Sequence, residues 1–288
     1  MRWPTCAAAV ALLLLARAAV AADPTAPAST RWIEAEQITH SRTNCGSSTI
    51  AVDGTGTTDI VYPDHEPGHA DIFAVTRASS GERTTPVNLS NTPGSSNFPA
   101  AARSATGALH VVWQDDTPGN SQVYYAWRPP DGPWSTPENI STSTGYADRP
   151  RIALDRAGAV HVAWDDATSG NWEIRYRARG PDGRWNATRN ISQTPGPIDN
   201  EDCPPALALG PDGFARVVWF DRSGPWAWDI HFARQTAAGS WTPSARITTG
   251  GHAFYPSLAV DAAGRAHVAW SAPGTPSTGQ IFYVEETR

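Results

Sequence analysis

Four carboxylates recur at one spacing. Asp64, Asp115, Asp166 and Asp221 each stand two residues past an aromatic, namely Tyr62, Trp113, Trp164 and Trp219, and Ala272 holds the same place after Trp270. A second polar group follows each of these loops: Asp71, Gln122, Glu173, Asp229 and Gln280. Two kinds of chemistry suit such a pattern. A short acidic side chain can cap backbone N–H groups within its own hairpin. Set in a ring on one face, the same acids can hold a calcium ion or take the hydroxyls of a sugar.

The segments between the repeated units differ from one another, and differences of this kind tend to carry function. They bring together Phe98, Tyr146, Asp148, Arg149, Asp199, Glu201, Asp202, Phe254 and Tyr255. Aromatic rings beside carboxylates and an Arg suit a carbohydrate, whose apolar faces stack on rings while its hydroxyls take directed hydrogen bonds. The competing reading is that these rings plug a central channel or pack between repeats. His110, His161 and His267 occupy one repeated position. Equivalent places in different repeats are too far apart for a single zinc ion, so packing is the expected role. Cys45 and Cys203 lie just before equivalent apolar strands and could form a disulfide in an oxidising compartment. The sequence has no phosphate loop, CxxC, HExxH or nucleophile elbow. Those absences count against several enzyme classes, though not against a hydrolase that works with two carboxylates.

These side chains are set out by a repeat of about 51 residues. Residues 57–62, 108–113, 159–164, 214–219 and 265–270 are apolar strands that end on the aromatics named above. Each unit reads as four strands. A short apolar strand is followed by a tight turn, with Gly56, Gly107, Gly158, Gly213 or Gly264 at the turn. The aromatic-ended strand comes next, then an alternating strand, then an outer strand after a Gly-rich turn. The last unit ends before its outer strand. Residues 32–39, with Ile38 six places after Trp32, match the spacing of Trp241 to Ile247. The pattern therefore predicts an all-β, five-bladed propeller of four-stranded antiparallel blades, its ring closed by an N-terminal strand that completes the last blade.

The turns Asp131-Gly132-Pro133-Trp134 and Asp182-Gly183-Arg184-Trp185 resemble a degraded Asp-box, the turn of the sialidase-like repeat propellers. The leading Ser or Thr is missing and the spacing is tighter. The near-equal blades resemble the five-bladed tachylectin type in plan. The resemblance implies a propeller and not a sialidase. The Arg cluster, Tyr–Glu pair and acid of a sialidase do not assemble here, and Arg151 is the nearest approach to the first of them.

Residues 1–21 read as a signal peptide, with Arg2, an apolar stretch at 7–16 and a small-residue site at Ala19 to Ala21. Residues 22–30 read as a linker and 31–288 as the propeller. The chain carries 22 cationic residues, all Arg, against 28 acids, for a formal charge of −6 without a basic run. That excludes a nucleic-acid partner and disfavours an anionic membrane surface. No later stretch is apolar enough for a transmembrane anchor. The expected protein is exported, extracellular or periplasmic. The favoured function is a lectin-like module for a glycan or other extracellular ligand. A glycoside hydrolase using top-face Asp residues is the alternative, and a protein-contact scaffold the third reading. Four Asn-x-Ser/Thr sites, at Asn88, Asn139, Asn186 and Asn190, receive no role.

Overall fold

Val, Ile, Tyr and Trp alternating with polar residues favour pleated strands over helices. The computed structural model describes residues 33–66, 68–193, 204–224, 227–236, 239–273 and 279–287, and every regular element among them is a strand. Residues 33–40 belong to a separate N-terminal unit and form no strand. Residues 41–288 carry five antiparallel sheets, each a consecutive stretch of chain.

Blade one is β1 (Thr49–Val52), β2 (Thr58–Asp64), β3 (Asp71–Arg77) and β4 (Val87–Asn88). Blade two is β5 (Ser96–Arg103), β6 (Leu109–Asp115), β7 (Gln122–Arg128) and β8 (Glu138–Asn139). Blade three is β9 (Ala147–Leu154), β10 (Val160–Asp166), β11 (Glu173–Arg179) and β12 (Arg189–Asn190). Blade four is β13 (Ala206–Leu209), β14 (Ala215–Gly224), β15 (Ala227–Arg234) and β16 (Ala245–Arg246). Blade five is β17 (Phe254–Val260), β18 (Ala266–Pro273) and β19 (Gly279–Glu285). The strands pair in chain order, and the inner strands β1, β5, β9, β13 and β17 touch in succession.

Four hydrophobic clusters lie between successive blades. Trp113 packs with Val61 and Ile72, Trp164 with Val112 and Val123, and Trp219 with Ile174 and Tyr176, while Val218 and Ile230 meet Val268. The tryptophans after the Asp-box-like turns cap these seams. Trp185 lies edge-on to Tyr125 at 5.1 Å and Trp241 edge-on to Tyr176 at 4.7 Å. Blades two, three and four therefore bury both faces against their neighbours, and blades one and five one face each.

Two expectations are corrected. The outer strands of blades one to four, expected as full fourth strands, are only two residues long. Pro86, Pro137 and Pro243 sit just before three of them and have no N–H to donate to the ladder. Closure by residues 32–39 is not seen among the described residues: 33–39 carry no strand, and blade five has three strands. The Gln37 side chain instead donates to the Thr39 carbonyl at 2.7 Å. Ile281, in the third strand of that blade, is 76% exposed.

A polar latch compensates for the short outer strands. The Ser90 hydroxyl accepts the Ile72 N–H at 2.9 Å and donates to Asp71 at 2.8 Å. Ser141 does the same for Val123 and Gln122, Ser192 for Ile174 and Glu173, and Thr248 for Ile230 and Asp229. Two residues before three of these hydroxyls, Asn88, Asn139 and Asn190 accept the N–H groups of Asn91, Thr142 and Gln193. Three of the four Asn-x-Ser/Thr sites are thus parts of this latch. Replacing Ser90 by Ala strands a buried N–H and weakens the hold on a buried carboxylate. We expect a loss of about 1–3 kcal/mol in urea unfolding. An unchanged midpoint would show that the latch is ornamental.

Candidate functional site

The inner strands of blades two, three and five do not run straight. Opposite one anchor tryptophan stand two residues: Phe98-Pro99 against Trp113, Arg149-Pro150 against Trp164, and Tyr255-Pro256 against Trp270. An extra residue of this kind is a β-bulge, which bends the strand and re-aims a side chain. Proline fits because the extra residue makes no ladder bond. The residue before it takes a left-handed backbone, with φ of 51° at Phe98, 50° at Arg149 and 54° at Tyr255. Bulky side chains avoid that region, and a following proline favours extended backbone instead. Three strained residues at one repeated position form a constellation that packing alone does not require.

Fifteen places before each anchor aromatic stand Ser47, Phe98, Arg149, Pro204 and Tyr255, at the start of the inner strands. The first four of these positions border one cavity of about 620 Å³. Blade one contributes Ser47, Ser48 and Thr49, blade two Phe98, Pro99 and Ala100, blade three Arg149 and Arg151, and blade four Pro204. Phe98 is 46% exposed, Tyr255 64% and Tyr146 55%, so none of these rings is a buried plug. Phe254 differs. It is partly buried in the seam of blades four and five, edge-on to Phe220 at 5.6 Å.

Behind Arg149 lies Asp165, fully buried, its Oδ2 3.6 Å from a guanidinium nitrogen. Asp148 pairs across the sheet from Asp165 and accepts a hydrogen bond from Ser121. Burial is the main cause that raises its carboxyl above the usual range. The Ser121 bond and Arg149 oppose the rise, and the Asp166 charge adds to it.

The repeated acids are engaged inside their own hairpins. Asp64 accepts the Glu66 N–H, Asp115 the Thr117 N–H and Asp166 the Thr168 N–H, each at 2.9 Å. Asp64 also takes the Ser41 hydroxyl, and Asp115 those of Thr92 and Ser96. Asp221 is buried opposite Asp229. Among the described residues no group of three His, Cys, Asp or Glu side chains could hold a metal ion. The three histidines instead meet tyrosines on the adjoining strand: His110 Nδ1 lies 2.7 Å from the Tyr125 hydroxyl, and His161 and His267 lie 2.6 Å from those of Tyr176 and Tyr283. Cys45 Sγ lies 3.7 Å from Asp64 Oδ2. Asp199, Glu201, Asp202 and Cys203, and with Cys203 the expected bridge, lie outside the described residues.

Sequence reasoning named Phe98 and Arg149 but missed Ser47, Ser48, Thr49, Pro204 and Asp165, and used Arg151 only for a family likeness. A signal was present. The residue–proline pair recurs fourteen places before Trp113, Trp164, Trp219 and Trp270, counting to the proline.

No protein-family model matches the sequence, and no curated protein does. Solved structures do. A protein of unknown function from Dyadobacter fermentans matches with a TM-score of 0.57 at 13% identity, over 83% of this chain and 78% of that one. An α-L-arabinanase from Penicillium chrysogenum, complexed with arabinobiose, matches with 0.52 at 11%, over 82% and 76%. A polysaccharide lyase acting on ulvan, bound to -[GlcA(1-4)Rha3S]-, matches with 0.53 at 12%, over 82% and 67%. These likenesses show the propeller fold.

Two outcomes follow from this geometry. Tyr255→Gly removes an exposed ring from a backbone that glycine adopts freely, and should stabilise the fold by about 1 kcal/mol in urea unfolding; a loss of similar size would mean that the ring is a packing element. His110 is held down to about 4, chiefly by burial and secondly by Arg179, against an ordinary 6.5. Between those values the unfolded chain takes a proton that the folded chain refuses. Stability is therefore complete above pH 6.5 and falls below it, by about 2 kcal/mol for this histidine on reaching pH 5. Unfolding midpoints of His110→Gln should fall less steeply over that range than those of the parent; parallel curves would contradict the assignment.

Proposed function

We propose that this protein is an exported carbohydrate-binding module whose site is the cavity at the start of the inner strands. The observation that carries the reading is the set of β-bulges. The bulges of blades two, three and five spend backbone strain at Phe98, Arg149 and Tyr255; Phe98 and Arg149 border the cavity, and the Phe98 ring is 46% exposed. A ring of that exposure offers a stacking face to a sugar, and Ser47, Ser48 and Thr49 line the same cavity. Two of the similar folds were seen with saccharides bound, which supports the same ligand class here. Export rests on the signal-like residues 1–21; no helix among the described residues is long and apolar enough to cross a membrane.

A second reading, glycoside hydrolysis, has one observation in its favour. Asp148 is a carboxyl held towards its neutral form, near the charge of Asp166, and paired acids of unequal affinity for the proton are what acid catalysis uses. A glycan array separates the two. The binding reading expects retention of a glycan without release of reducing sugar, and about tenfold weaker binding by Phe98→Ala. Product formation that is lost in Asp148→Asn would establish hydrolysis. Neither retention nor turnover would overturn both.

A further inference from the structure

One contact recurs in the seams between successive blades. Its first half is the third-strand residue paired with the position after the anchor aromatic: Ile72, Val123, Ile174, Ile230 and Ile281. Its second half is the inner-strand residue twelve places before the anchor: Ile50, Ala101, Ile152, Leu207 and Leu258. In four seams the first half of one blade shares a cluster with the second half of the next. Ile72 meets Ala101 there, Val123 meets Ile152, Ile174 meets Leu207 and Ile230 meets Leu258. The first halves of these four seams are at most 3% exposed.

Two halves are left over. Ile281 of blade five is 76% exposed and Ile50 of blade one 62%. Their neighbours follow them. Tyr283 is exposed, although it stands in the place of the buried Tyr125 and Tyr176. Val52 is exposed in the place of Leu154 and Leu209, which pack against the preceding blade. Four large apolar side chains therefore stand in water at positions that the other blades bury, and a patch of that kind marks a contact surface.

The filled seams show what each open face fits. A face like that of Ile281 and Tyr283 takes an aliphatic inner strand, which is what Ile50 and Val52 present on blade one. Within one chain both faces stay open, so they do not cover each other. We infer that the occupant is a second copy of this chain. The free face of blade five in one copy seats on the free face of blade one in the other, with Ile281 against Ile50. The two faces differ, so the contact runs head to tail. It adds a seam of the same kind as the four that hold the blades of one chain together.

Sedimentation velocity of the full chain over a range of concentrations tests this, with Ile281→Arg and Ile50→Arg beside the parent. Both positions are exposed in the single chain, so each variant should fold, and thermal melts check that it does. The inference expects the parent to sediment as a dimer or larger and to dissociate on dilution. Either arginine should weaken the association about tenfold or more. An equal mixture of the two variants should associate again, because Ile281 of one copy then meets Ile50 of the other. A parent that stays monomeric at every concentration would overturn the inference. So would association that neither substitution weakens, or a mixture no better than either variant alone. Hydrogen exchange of the parent gives a readout that needs no variant: residues 50–52 and 281–283 should gain protection as concentration rises. Strong protection there in the monomer would mean that the faces are covered from within the chain, and would overturn it as well.

Discussion

A small antiparallel sheet has two faces, and no helix among the described residues covers either. Everything else in the fold follows from that constraint. A blade finds cover only by stacking on its neighbours: blades two to four are covered on both faces, and blades one and five on one. Trp113, Trp164 and Trp219, almost wholly buried, are the largest side chains in these seams, and tryptophans from the turns close the outer ends. Burial of a large aromatic is worth about 3–5 kcal/mol against alanine, so a few such residues hold each seam. The repeat in the sequence is the record of this one packing problem solved again and again.

The polar repeats answer a second demand of the same packing. The stacked sheets bring backbone groups and carboxylates into places that water does not reach, and those groups need partners. The serine and threonine latches satisfy the first donors of the alternating strand. The aspartates after the anchor aromatics satisfy the N–H groups of their own turns. Between blades one and two the buried Asp59 takes Arg103, Arg128 and the Thr76 hydroxyl. The aspartates after the anchor aromatics look like a site in the sequence because they recur in four of the five blades. Their recurrence is the reason to read them as scaffold: a group that serves several blades alike serves the blade.

Much of the fold could be read from the sequence because tryptophan spacing and two-residue alternation report directly on burial. The inner, anchor and alternating strands were legible for that reason. The outer strands were not, since Pro86, Pro137 and Pro243 stop a ladder that the hydrophobic pattern continues. The N-terminal match to an outer strand was a match of spacing alone, and residues 33–39 carry no strand. In the candidate site, Phe98 and Arg149 were found by their chemistry. Ser47 and Thr49 are too common in type to stand out, and Asp165 was hidden beside the repeated Asp166. What connects them is the bulge, a feature of backbone register that composition does not display. Asp199, Glu201 and Asp202 lie outside the described residues.

The central claim is that the repeated residues build the scaffold and that ligand chemistry sits where blade three and its neighbours depart from the repeat. The most direct measurement is backbone hydrogen exchange, by mass spectrometry, with and without a glycan that the array retains. The account expects added protection at residues 47–49, 98–100 and 149–151, with the hairpins at 64–71 and 115–122 unchanged. Protection confined to those hairpins, or to the turns around Trp134 and Trp185, would contradict it.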